Sequence, residues 1–208
     1  MRILFYAILL LLNVQVVSFA AVGCSLNDPD RDVKRMFPES SGYLTKFITL
    51  QETGGVLARE EIENQLGDKL DTVYEDLNVP YAYYTILKGK TPIGYIHGVN
   101  QKGKFGGLQL IVATDLSLKI RDFYYQRISS PNAAKFRSGQ FTAQFKGLTL
   151  DDFYQYHVQE NKASAGGLSR IIDTTGSPED FRATLRGIKK DLILLDYFLQ
   201  RENNRGGK

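Results

Sequence analysis

The chain has 208 residues, 26 of them basic and 23 acidic, with a formal net charge of +3 and 43% hydrophobic content. That length and balance describe one folded domain with a small appendage and exclude a disordered chain. One cysteine excludes an internal disulfide framework and a thiolate zinc site, two histidines exclude a three-histidine metal centre, and interspersed charges of both signs argue against a nucleic-acid partner.

Arg2 is followed by residues 3–22, a run without a charge, and then by small residues up to Gly23-Cys24. A basic start, an apolar core and small residues form the layout of a secretory signal over residues 1–23. The Ala20-Ala21-Val22-Gly23-Cys24 boundary resembles a bacterial lipobox, which implies acylation of Cys24 and an anchor of several acyl chains. Two other readings stand beside it: cleavage after Ala20, where Ser18-Phe19-Ala20 fits a small-x-small site, and an uncleaved anchor of about 20 residues. The lipobox reading is preferred, with residues 24–32 as a polar tether. All three put the body outside the cytoplasm, and Ser25 resembles the outer-membrane sorting signal of Gram-negative lipoproteins.

Residues 33–75 read as a helical region. A short amphipathic piece is stopped by Pro38, and residues 57–66 (LAREEIENQL) form a helix ended by Gly67. From Pro80 the texture changes. Residues 81–87, 93–99, 108–114 and 119–128 are rich in aromatic and β-branched side chains and are joined by short turns, which predicts an antiparallel meander. Residues 133–156, with Phe136, Phe141, Phe145 and Phe153, are expected to cover one sheet face as short helices. Ser177-Pro178-Glu179-Asp180 supplies an N-cap, a proline at the first helical position and two acids. Phe181, Leu185, Ile188, Leu192, Leu195 and Leu199 then mark one helical face. Residues 201–208 are expected to be a disordered tail. The fold class is α+β, an antiparallel sheet with helices packed on it.

The order of pieces, with Pro131, the phrase Phe141-Thr142-Ala143-Gln144-Phe145-Lys146-Gly147 and a glycine turn opening a helix, resembles the FMN-binding domain family. That family includes the periplasmic G subunit of Rnf-type complexes and the C subunit of sodium-pumping NADH:quinone oxidoreductases. The likeness runs over residues 81–199, within a domain of 76–200. It implies bound FMN, contacts from Ser129, Ser130 and Pro131 and from Thr174, Thr175, Gly176 and Ser177, and electron transfer beside membrane redox subunits. The family attaches flavin to a threonine of a Ser-Gly-Ala-Thr motif. Here Thr175-Gly176-Ser177-Pro178 stands in that place, with Arg182-Ala183 and Gly187-Ile188 at the family's offsets, so the acceptor falls on Pro178 and any FMN is expected to be noncovalent. The alternative is a flavin-free binding or scaffolding lipoprotein.

Other features point to no chemistry. Phe123, Tyr124 and Tyr125 could stack on a flavin ring but read better as strand faces. The glycine-rich turn at 98–107 is not a phosphate loop, and its Lys102 and Lys104 read as a solvated hairpin tip. Asp151-Asp152, Glu60-Glu61 and His157 carry no catalytic signature.

Overall fold

Strand-forming residues between positions 42 and 128 assemble one sheet. The computed structural model describes residues 24–72, 74–164 and 166–206. Strands β1 (Gly42–Ile48), β2 (Tyr81–Lys88), β3 (Thr91–Lys102), β4 (Gly107–Thr114) and β5 (Ile120–Ile128) lie in the order β1-β2-β3-β4-β5. Every neighbouring pair is antiparallel, as expected of a meander.

Strand β1 corrects the expectation of a purely helical region at 33–75. It pairs along its whole length with β2, from Gly42↔Leu87 to Ile48↔Tyr81. Its middle is exposed on both faces, so the burial alternation that marks a strand in sequence is weak. Short helices follow it, α2 (Leu50–Thr53) and α3 (Val56–Leu66), after the lead-in helix α1 (Pro29–Met36). Thr49 and Glu52 cap α2 reciprocally.

Both faces of the sheet are covered, and for this reason β2 and β4 are apolar without alternation. One face lies under α7 (Pro178–Gly206), a helix of 29 residues, about 43 Å long at 1.5 Å per residue. Leu185, Ile188, Leu192, Leu195 and Phe198 of α7 are buried against Tyr81, Tyr83, Val99, Leu110 and Val112. Residues 201–206, expected to be disordered, continue this helix. Short helices α4 (Ala133–Phe136), α5 (Gly139–Thr142) and α6 (Leu150–Tyr154) close one side, ahead of the two-residue strands β6 (Tyr156–His157) and β7 (Lys162–Ala163). There Phe123, Phe141 and Phe145 pack edge to face, with the Phe123 and Phe145 ring centres 4.8 Å apart.

The other face is covered by residues 24–37. Their docking corrects the expectation of a free tether at 24–32. Cys24 forms a parallel bridge with Tyr81, the Leu26 N–H donates to the Tyr84 hydroxyl at 3.1 Å, and the Gln126 amide both accepts from the Asn27 N–H and donates to the Ser25 carbonyl at 2.9 Å. Asp28 caps α1, and the buried Asp32 accepts from the Tyr124 hydroxyl at 2.7 Å. Cys24, Leu26, Val33, Met36 and Phe37 then pack on Ala82, Tyr84, Ile86, Ile96 and Ile111.

Candidate functional site

Two of the segments singled out in the sequence meet at the N-terminal end of α7. Pro131 and Asn132 precede α4, while Gly176 to Asp180 enter α7. With Lys104 and Phe105 from the β3–β4 hairpin tip, they line a cleft of about 230 Å³. The Asn132 side-chain amide donates to Ser177 Oγ at 2.8 Å, joining residues 45 apart in sequence. The hairpin tip is fastened to the same helix end: the Lys104 N–H donates to Asp180 Oδ1 at 2.8 Å, and the Lys104 ammonium lies 3.1 Å from a Glu179 carboxylate oxygen.

The seven expected contact residues divide into four groups. Pro131, Gly176 and Ser177 line the cleft. Ser129 and Ser130 shape the loop behind it, where the Ser129 N–H donates to the Gly107 carbonyl at 3.3 Å and the Ser130 carbonyl accepts from the Ala133 N–H at 3.1 Å. Thr175 is fully buried and turned inward, its hydroxyl donating to Asp173 Oδ1 at 2.6 Å and accepting from the Ser177 N–H at 3.1 Å. Thr174 is exposed and does not line the cleft. Gly176 sits at φ +71°, a left-handed conformation that brings the chain round into the helix.

Sequence reasoning assigned none of Lys104, Phe105, Lys135 and Asp180 to the site. The hairpin tip, read as solvated, packs on the start of α7 through carboxylates that lie 75 and 76 residues away in sequence. Phe105 remains 53% exposed at the cleft mouth, an aromatic among the glycines of the β3–β4 turn. Lys135 Nζ lies 3.7 Å from the point where a Cβ on Gly176 would stand. Asp180 is fully buried, and its Oδ2 is without a hydrogen-bond partner.

Tested against FMN, the residues fit noncovalent binding and not the phosphoester. Pro178 lines the cleft without a hydroxyl, the Thr175 hydroxyl is engaged within the turn, and Ser177 Oγ accepts from the Asn132 side chain. For a noncovalent ligand, Phe105 and Pro131 offer an apolar wall, and Lys135 Nζ stands beside Gly176 where α7 begins.

The other candidates serve structure. Tyr124 gives its hydroxyl to Asp32 and its face to Arg35, whose guanidinium carbon lies 3.8 Å from the ring centre, and Tyr125 bonds Thr184 at 2.7 Å. Asp152 caps α6 and accepts from the Gly167 N–H at 2.9 Å, and these bonds outweigh its partial burial to hold its carboxyl below the usual range.

Cys24 is 2% exposed; burial pushes its thiol up to about 12, only partly opposed by the Gln109 amide at 3.4 Å. Residues 1–23, the expected signal, lie outside the described residues. Among the described residues, no helix is long and apolar enough to cross a membrane.

No protein-family model matches the chain, and no curated protein matches it. Among solved structures, the chain is similar to the C subunit of the Na(+)-translocating NADH-quinone reductase from Parabacteroides distasonis ATCC 8503, at 15% identity and a TM-score of 0.42, covering 85% of each chain.

Proposed function

We propose that the cleft at the start of α7 takes FMN noncovalently and that the protein serves as a membrane-attached, extracytoplasmic electron-transfer component of a redox assembly. The observation that carries this reading is the convergence of the Pro131-Asn132 and Gly176–Asp180 segments on one cleft beside an unpartnered buried acceptor, Asp180 Oδ2. Bound FMN would supply the electron chemistry, which no side chain here provides. Lys135 and the first N–H groups of α7 hold the phosphate end, Phe105 and Pro131 exclude water from one ring face, and Asp180 orients a ligand donor.

Attachment to the membrane rests on residues 3–22. With Cys24 docked as described, an acyl chain on its sulfur requires residues 24–26 to leave the sheet, whereas an uncleaved apolar anchor requires no such change. Labelling cells with a clickable fatty acid separates the two, since label that persists on Cys24→Ala sinks acylation at Cys24.

The flavin reading is tested by titrating FMN into the full chain in detergent while following flavin fluorescence. Micromolar binding, about 8 kcal/mol, that Lys135→Glu weakens about tenfold supports it. With a flavin transferase co-expressed, no fluorescent band is expected on a denaturing gel.

A second reading, a flavin-free binding module, is favoured by one feature: Glu179 and Asp180 set two carboxylates beside the helix end where a phosphate would rest. Absence of binding up to millimolar FMN selects it.

A further inference from the structure

Arg186, Lys189 and Lys190 of α7 are turned into the protein, and both lysines are buried. Arg186 and Lys190 share the Glu75 carboxylate, and Arg186 also meets Asp68. Among the described residues, Lys189 has no carboxylate partner. Its Nζ donates to the Tyr156 carbonyl at 3.0 Å, which engages one of the three N–H donors of an ammonium. Burial pushes its pKa down, and no neighbouring charge opposes the shift. A buried ammonium held by one neutral acceptor is unfavourable, and an arriving anion relieves it.

Lys189 stands in the wall of a cleft of about 290 Å³ between the end of α3 and the turn that follows α6. Asn64, Gln65 and Gly67 form one side, and Tyr154, Tyr156 and His157 the other. Helix α3 stops here because Gly67 takes φ +73° and gives its N–H to the Glu63 carbonyl at 2.9 Å. The Tyr154 hydroxyl donates to Gln65 Oε1 at 2.9 Å and ties the two sides together. Of the lining residues only Glu160 is acidic, and it is exposed. The end of α3 presents the last carbonyls of a helix, which favour a donor and disfavour a second anion.

We propose that this cleft binds a small monocarboxylate bearing hydroxyl or amino donors, with its carboxylate on Lys189 and its donors toward the end of α3. The site lies 11 residues along α7 from Pro178, about 16 Å, and is separate from the cleft assigned to flavin. It stands or falls without that reading.

The full chain in detergent is titrated at constant ionic strength with L-lactate, L-serine and L-glutamine, following the thermal midpoint and the amide NMR signals. L-lactamide, which lacks the carboxylate, is the control. At least one of the acids is expected to raise the midpoint and to shift the amides of Gly67, His157 and Val158, leaving that of Gly176 in place, while lactamide does neither. Lys189→Met is expected to weaken the binding about tenfold or more. Lys189→Gln takes its place if circular dichroism shows the methionine variant unfolded. The proposal is overturned if none of the three acids moves those amides, if lactamide acts as the acids do, or if a folded Lys189 variant binds undiminished.

Discussion

The two faces of the sheet are covered in different ways. Under α7 the packing encloses charge: the fully buried Lys190 ammonium meets the Glu75 carboxylate and lies 2.7 Å from the Asn100 carbonyl. Arg186 reaches Asp68 at 2.7 Å, Glu75 at 3.2 Å and the Gln101 amide oxygen at 2.7 Å. Further along, His97 Nδ1 lies 2.9 Å from Asp191 Oδ1, both residues fully buried. Under residues 24–37 the packing is mostly apolar and rests on a strap with few backbone bonds to the sheet. A helix that brings its own cations needs a carboxylate donated from a distant segment, and the 68–75 loop supplies it. The strap needs only to keep water off Ala82, Ile96 and Ile111. The α7 cover adds buried ion pairs to its apolar contacts, while the strap relies on area.

The comparison breaks most visibly at Glu75. Glu75→Ala leaves Lys190 and Arg186 without their shared counter-charge and is expected to cost about 4 kcal/mol, the usual penalty for stranding a buried ion, read as a fall in the urea midpoint at unchanged slope. Burial alone would raise the Glu75 carboxyl, but Lys190 and Arg186 outweigh it and hold it below its ordinary value of 4.5. A carboxylate lowered by folding contributes stability above its unfolded-state pKa and loses it as pH falls through the folded one. The wild-type protein is therefore expected to lose stability from about pH 4.5 downward, and Glu75→Gln to flatten that acid limb. A Glu75→Gln protein with an unaltered acid limb would remove the carboxylate from the account.

Helix and sheet approach closely at Gly187, where an added Cβ would stand 2.2 Å from Leu110 Cδ1. Gly187→Ala gains in helix propensity yet forces Leu110 and Gln101 aside, and overpacking wins at about 2 kcal/mol. Thermal denaturation checks the sign. A stabilised Gly187→Ala would mean that the helix rides higher on the sheet than described.

How far the sequence carried the reading depends on the distance between partners. The meander from β2 to β5 was legible because strand composition and turn chemistry are local, and α7 because its cap and stripe lie within one segment. Strand β1 was not, since a short edge strand exposed on both faces leaves no burial alternation to read. Residues 24–32 look like a tether because their side chains are polar, but it is their backbone that binds, through Tyr84 and Gln126. At the cleft, Pro131, Gly176 and Ser177 were named from the family likeness, while Lys104 and Phe105 passed as solvent-facing because the carboxylates that seat the tip lie far along the chain. Lys190, one turn after Arg186 on the same face of α7, would have read as a surface lysine, its partner Glu75 being 115 residues away.

The smallest effect sharpens the strap side. With a thiol raised to about 12, Cys24 is almost wholly protonated at pH 8, and its Sγ is shut under the strap, so alkylation of the native protein must wait for the strap to lift. Leu26→Ala removes a buried side chain two residues along and is expected to cost about 2 kcal/mol, most of it felt locally. The alkylation rate of Cys24 by a small maleimide should then rise about tenfold or more, with the amide exchange of Asn27 rising in step. Glu75→Gln, acting across the sheet, should raise the same rate far less below its denaturation midpoint. Equal acceleration by both variants would mean that the strap opens only when the whole fold does, and the two covers would form one cooperative unit. A thiol that stays unreactive even in denaturant would instead mark the sulfur as already acylated, and would return the lipobox to the account of how this chain meets the membrane.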